Sequence, residues 1–400
     1  MASSKKAAVS FIFITLLIDV IGFGIIIPVM PKLLADIKHI SLNEASKYGG
    51  YLLFVFAVAQ FIFSPIVGNL SDQFGRRPVL LISLLGFGLD YIILAFAPTY
   101  GWLVLGRILA GITGASFTTA SAYIADISDD SNRSKNFGMV GAAFGLGFIL
   151  GPFLGGILAQ YGVRFPFYAA AFLSFLNFIY GYFILPESLP IENRRPFQLK
   201  NSTPFKTLLE LWSYKTIAPL LAAFIFLHLG AHAVQSTWNY FTMYRFNWTE
   251  ATVGYSLALV GVVVALVQTM LAQKSAAVFG IPKSIMIGFG LYSVGMFLFA
   301  FATKSWMMFL FLIPYSLGGI AMPNLQSFLV SKVGVDKQGR LQGGLASLIS
   351  LTTIFGPLMM TNAFYYFTTD QAPFYFPGAA FFLGGIFMAT SFLIVITKLR

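Results

Sequence analysis

Three charged side chains stand where an apolar bilayer core would have to hold them. Asp19 interrupts the run "LLIDVIGFGIIIPVM" at residues 16–30, Asp90 lies in "GFGLDYIIL" and Arg107 in "LVLGRILAG". A carboxylate at the centre of a membrane helix costs about 2.5–3.5 kcal/mol. A lone guanidinium is also expensive there, so Arg107 must pair with a carboxylate or with backbone carbonyls. Asp19 and Asp90 are the candidate partners. An aspartate that ionises against Arg107 in one state and takes up a proton in another performs proton coupling. A pair that never opens is a structural ion pair instead, and Asp90, next to Tyr91, equally suits a structural hydrogen bond.

Uncharged polar residues supply the second chemistry. His228, His232, Gln235 and Asn239 in "LHLGAHAVQSTWNYF" fall within about 60° of one another at 100° per residue, so they share a helix face. That face can line a cavity, where it would contact substrate or a second proton, or it can hydrogen-bond a neighbouring helix. The His-x3-His spacing also fits a metal, but no Glu follows the first His and no third ligand is evident. We therefore expect no metal. Gln60, Asn177, Gln268, Asn324 and Gln326 are further candidates for a cavity lining.

Two motifs concern movement rather than binding. "GNLSDQFGRRP" places Gly68, Asp72, Gly75, Arg76 and Arg77 in a tight turn between apolar runs. Asp72 can meet a helix N-terminus, and the arginines can meet carboxylates such as Asp126 and Asp129. Such a latch would hold one conformation and break in another; the plainer reading is a solvated basic loop. "FGLGFILGPFLGG" carries Gly147, Gly151, Pro152, Gly155 and Gly156. Glycines at i, i+4 and i+8 make a flat face for close helix packing, and Pro152 permits a bend.

The elements that must position these residues are membrane helices. Of 400 residues, 58% are hydrophobic and 10% charged, with a mean hydropathy of +0.81, whereas soluble domains carry about 25% charged residues. The net charge of +11 is scattered in short clusters, which argues for positive-inside topology over nucleic-acid binding. The chain has no cysteine, which excludes disulfides, thiol catalysis and thiolate metal sites. Its N-terminus looks like a signal peptide, but Asp19 interrupts the apolar core and no small-x-small site follows, so it is read as a retained first helix. Apolar runs predict twelve spans, at 8–31, 48–70, 78–98, 101–125, 136–160, 165–185, 216–241, 251–275, 283–302, 305–330, 340–364 and 374–397. The longest polar stretch divides the chain into 1–186, a linker at 187–215, and 216–400. With both termini cytoplasmic, 18 of the 25 Lys and Arg fall on that side.

An internal repeat supports two halves. Gly151-Pro152 and Gly356-Pro357 are spaced by 205 residues, and Phe74-Gly75 and Phe279-Gly280 share that offset. Duplicated six-helix halves are expected of transporters. The segments "SDQFGRRPVLLISLLGFGLDYIILAFAP", "GRILAGITGASFTTASAYIADI" and "LPES" resemble the major facilitator superfamily, and its tetracycline–proton exporters in particular. The likeness continues more weakly at "WTEATVGYSLA", "GGIAMPNLQSFLVSKV" and "QGRLQGGLASL".

The resemblance implies an all-α integral membrane protein of major facilitator fold, with twelve transmembrane helices in two pseudo-symmetric six-helix bundles. It implies a proton-coupled antiporter, no enzyme and no cofactor, exporting a small amphipathic compound from a bacterial cytoplasmic membrane as a monomer. The glycine motif of the fifth span resembles the antiporter signature, which favours export over uptake. Asp19, Arg107 and Asp90 would serve coupling, and Asp72, Arg76, Arg77 and Asp126 gating. His228, His232, Gln235, Asn239, Gln60, Gln268 and Gln326 would serve substrate. The sequence departs from those exporters at Val264 and Tyr292, where they carry a histidine and an aspartate. No acidic residue lies inside any span of the second half. Tetracycline itself therefore does not follow from the sequence, and export of a siderophore or metabolite, or proton-coupled uptake, are the alternatives. A proton moving inward yields about 2.3 kcal/mol per 100 mV and about 1.4 kcal/mol per pH unit. The chain has no Gly-x4-Gly-Lys-Ser/Thr loop for ATP.

Overall fold

The structure is a computed structural model and describes residues 2–114, 116–129, 132–197, 217–333 and 338–399. The linker expected at 187–215 is described only to residue 197; the rest of it lies outside the described residues. Sixteen α-helices carry the chain among the described residues. The first half contains α1 (Ala2–Ile25), α2 (Met30–Lys38), α3 (Leu42–Phe74), α4 (Arg76–Phe96), α5 (Tyr100–Thr113), α6 (Ser116–Ile127), α7 (Arg133–Leu158) and α8 (Phe165–Ile184). The second contains α9 (Ala218–Phe246), α10 (Glu250–Leu266), α11 (Ala272–Phe279), α12 (Ile281–Ala300), α13 (Ser305–Leu317), α14 (Ala321–Ser331), α15 (Gln338–Tyr366) and α16 (Ala379–Leu399).

Eleven helices or helix pairs are long and apolar enough to span a bilayer, and the bent pair α1–α2, kinked by 48°, makes a twelfth. The twelve apolar runs thus become twelve spans, because hydrocarbon leaves the backbone no partner outside its own helix. Three further spans are broken. α5 and α6 share the fourth. α10 and α11 share the eighth through a π turn at Val267–Leu271. α13 and α14 share the tenth through a 3-10 turn at Gly318–Ile320. Asn324 braces the last two breaks, since its amide donates to the carbonyls of Ile320 at 2.9 Å and Ala272 at 3.3 Å. Pro65, Pro152, Pro314 and Pro357 lie inside helices.

The repeat seen at an offset of 205 residues returns as packing. α1 packs along α7 and α8, and α4 along α5 and α8. In the second half α9 packs along α15 and α16, and α12 along α13 and α16. The chain divides into two compact units, one made of Met1–His39, Val55–Thr203 and Thr249–Ala258, the other of Ile40–Phe54, Pro204–Trp248 and Leu259–Arg400. The first has a core around Phe11, Ile12, Leu16, Leu80 and Tyr123. The second is organised by Trp238, whose indole meets Trp248, Phe299 and Phe381 edge-on.

Candidate functional site

Arg107 of α5 donates to Oδ2 of Asp90 in α4, an ion pair with Asp90 0% and Arg107 4% exposed. Gly106 makes it possible, because a methyl there would lie 2.7 Å from Asp90 Oδ1. The guanidinium also lies over the Phe56 ring, 6.0 Å from its centroid. Asp90 Oδ1 and Arg107 Nε have no hydrogen-bond partner among the described residues. Of the two candidate partners, the ion pair is made with Asp90. Both carboxylate oxygens of Asp19 are shut off from solvent in α1. Tyr91 is buried with its hydroxyl against Gly22, one turn beyond Asp19, and lies within electrostatic reach of Asp90, Arg107 and Asp19 together. Gln60 donates to the carbonyl of Gly114 at 3.1 Å, which places it on the break of the fourth span.

At the other motif, Arg76 is buried and is the centre of a network. Its Nε donates to Asp126 at 3.1 Å and its Nη1 to Ser71 at 2.7 Å and to Asp72. Arg77 donates to the carbonyl of Tyr182 at 2.6 Å. Asp129 closes a turn by accepting from Asn132 at 2.8 Å. Gly75 has a φ of 103°, a conformation that only glycine adopts freely, whereas Gly68 faces open space. Asp72, Arg76 and Asp126, with Glu192, Arg194 and Arg195, line a polar cavity of about 580 Å³. The sequence reading missed Glu187 here. Its carboxylate accepts from the backbone amides of Arg76 at 2.8 Å and Arg77 at 3.2 Å, and from Ser188 and Leu189 at 3.0 Å. The available signal was an acidic residue three positions past the end of α8, in "LPES", close to two arginines on the same side of the membrane.

The glycine motif of α7 has two neighbours. A methyl on Gly151 would lie 2.7 Å from Gly24 Cα, one on Gly147 2.6 Å from Val20 Cβ, and one on Gly155 would collide with the carbonyl of Ile25. These three glycines therefore seat α1. Gly156 faces α10 instead, where a methyl would lie 2.8 Å from the carbonyl of Glu250, while Pro152 packs on both Gly24 and Gly254. Glu250 also forms an ion pair with Lys32 of α2 at 2.7 Å.

The polar stripe of α9 is split. His228 packs against Phe224, with ring centroids 4.2 Å apart and the rings tilted by 39°, and its Nδ1 lies 2.9 Å from that residue's carbonyl. His232 is buried against Gly356. Asn239 is buried, its side-chain oxygen accepting from the Tyr240 amide at 3.0 Å. Gln235 alone of the four is exposed. Gln268 is exposed in the π turn and Gln326 half-buried on α14. Asn177 exchanges hydrogen bonds with Thr15 at 3.3 Å. Val264 is half-buried. Tyr292 packs its ring on Tyr315 at 5.2 Å and against Gly318. Among the described residues no group of three or more His, Asp or Glu could hold a metal ion.

Residues 12–275 match the family model described as Major Facilitator Superfamily. The chain is 43% identical over 347 residues to the tetracycline resistance protein, class C, of Escherichia coli, covering 87% of each. It is 36% identical over 389 residues to the class H protein of Pasteurella multocida, covering 96% of this chain and 94% of that one. Among solved structures, the human organic anion transporter MFSD10 (TETRAN) superposes with a TM-score of 0.72 at 23% identity, covering 98% of this chain and 99% of that one. The nucleoside transporter NupG superposes with a TM-score of 0.75 at 13% identity, covering 99% and 98%. Twelve spans, a duplicated packing scheme and these matches lead to one assignment: the chain belongs to the major facilitator superfamily, a multi-pass membrane protein rather than an enzyme.

Proposed function

We propose that this chain is a proton-coupled antiporter that exports a tetracycline-like amphipathic drug across a bacterial cytoplasmic membrane by alternating access. The observation that carries the reading is the desolvated Arg107–Asp90 pair with the shielded Asp19 sharing Tyr91 as a neighbour. Relatives named tetracycline resistance proteins, alike over most of the chain, support the substrate class. Because Arg107 and Asp90 neutralise each other, Asp19 is the carboxylate whose charge changes during the cycle. Val20, the next residue, lies on the glycine face of α7. Proton binding would remove a buried charge from the same helix that must slide along α7, so titration and movement are joined in one element. Asp72, Arg76, Arg77 and Asp126 would gate the cytoplasmic side, where both termini lie and the linker 187–215 joins the halves 1–186 and 216–400. In the second unit Gln235, Gln268 and Gln326 would face substrate, with His228, His232 and Asn239 behind them, and in the first unit Gln60 would serve substrate. The monomer would suffice.

The test is proton release from inside-out vesicles held at an acidic interior, read with a pH-sensitive dye on adding tetracycline with magnesium. The native chain should respond and Asp19→Asn should not. A response to a different amphipathic drug alone would keep antiport and change the substrate. Silence to every compound would overturn the proposal.

A further inference from the structure

The first turn of an α-helix carries backbone amides with no partner in the helix and a partial positive charge, normally met by a side chain at the N-cap. α4 has none, because its N-cap is Gly75 and makes no side-chain bond. Glu187, 111 residues away, fills the place: its carboxylate takes the amides of Arg76 and Arg77 and occupies the space where a Gly75 side chain would stand. The same segment reaches the rest of the cluster. Ser188 Oγ donates at 3.0 Å to the Asp126 oxygen that also accepts from Arg76. Tyr123 donates to the carbonyl of Pro186 at 2.9 Å, and the Arg195 amide donates to the carbonyl of Asp72 at 3.1 Å. Residues 186–195 thus touch every member of the gating set except Arg77's side chain, which is held by Tyr182 just upstream.

We propose that Glu187 is a positioning residue of the gate, a remote cap that fixes where Arg76 and Arg77 project, and that the start of the linker is a strap holding the closed cluster. This rests on the gating role proposed above for Asp72, Arg76, Arg77 and Asp126. The bonds are charge-assisted, so Glu187→Gln, which keeps size but not charge, separates capping from packing.

Two readouts test this without any transported compound, so a failure here is distinct from a failure of the exporter reading. The first is hydrogen exchange by mass spectrometry on the peptide containing Arg76 and Arg77. Exchange should be about tenfold faster in Glu187→Gln, consistent with loss of a bond to a charged acceptor, with the remainder of α4 unchanged. The second uses the absence of native cysteine. Spin labels on Thr99→Cys and Thr303→Cys, exposed in loops of the two halves, report the distribution of conformations by their separation. Glu187→Gln should shift the ratio of populations several-fold toward opening of the gate, and Glu187→Asp should recover part of it. Unchanged exchange would overturn the cap. Faster exchange with an unchanged distance distribution would reduce Glu187 to a local brace and overturn its role in gating.

Discussion

Asp90 and Arg107 illustrate how strongly burial sets the role of a single charge. Neither has water to turn to, so removing one leaves the other as an uncompensated buried ion. Asp90→Asn should cost about 3–5 kcal/mol and lower the thermal midpoint of the purified protein in detergent. Asp90→Asn combined with Arg107→Leu should recover most of that midpoint, because no unpaired charge is left buried. A double variant no more stable than the single one would contradict the pairing. That Arg107 needs a carboxylate or backbone carbonyls was legible in the sequence, since a lone guanidinium inside a span is expensive. Which aspartate it takes depends on which helices are neighbours, and the three-residue turn between α4 and α5 makes Asp90 the nearer one. Glu187 was not legible as a cap, because its partners are backbone amides and those carry no residue identity. In the second half, Tyr292 packs on Tyr315 where the exporters resembled in sequence carry an aspartate. Tyr292→Phe, which keeps the ring, should leave the pH dependence of transport unchanged, whereas Asp19→Asn should abolish it; a shifted profile in Tyr292→Phe would assign the phenol a proton.

The glycines of α7 act as a surface, and their costs should differ by neighbour. Gly155→Ala drives a methyl into a backbone carbonyl of α1, which cannot rotate away. Overpacking of this kind costs about 1–3 kcal/mol, so the yield of folded protein should fall. Gly68→Ala, in open space, should leave yield unchanged even though it sits in the motif proposed to gate. Equal losses at both sites, measured by size-exclusion yield, would refute the packing argument. The spacing of these glycines made the face legible, but not its two partners, α1 and the start of α10. The helix breaks were equally hidden. Nothing in "VQTML" forbids a regular helix, and the π turn becomes intelligible only beside the 3-10 turn, with Asn324 donating to a carbonyl at each break. Apolar length alone reads each broken span as one helix, which is why the twelve spans were foreseen and their interruptions were not.

The two compact units do not coincide with the two halves of the sequence. Residues 249–258 belong to the first unit and 40–54 to the second. Adding the repeat offset of 205 to 44–53 gives 249–258, so the exchange obeys the same duplication that places Gly151-Pro152 opposite Gly356-Pro357. Local contacts fasten each exchanged piece. Lys32 pairs with Glu250 beside Gly156, and Asn43 donates to the carbonyl of Thr368 at 3.1 Å while Ser46 reaches that of Thr361 at 3.4 Å. Residues 1–197 and 217–400, expressed together as separate chains, should therefore co-purify from membranes through a tag on either one. Accumulation of each fragment alone, to the level reached together, would show that the exchange contributes nothing. The same exchange imposes a timetable on synthesis. The first six spans leave the ribosome well before residues 249–258 exist, and until those arrive the Gly156 side of α7 has only lipid against it. The first unit must therefore wait, inserted but unfinished, for the eighth span. Maturation of the early half is thereby gated by completion of the later one, and a chain cut short after its sixth span is left with that seam unfilled.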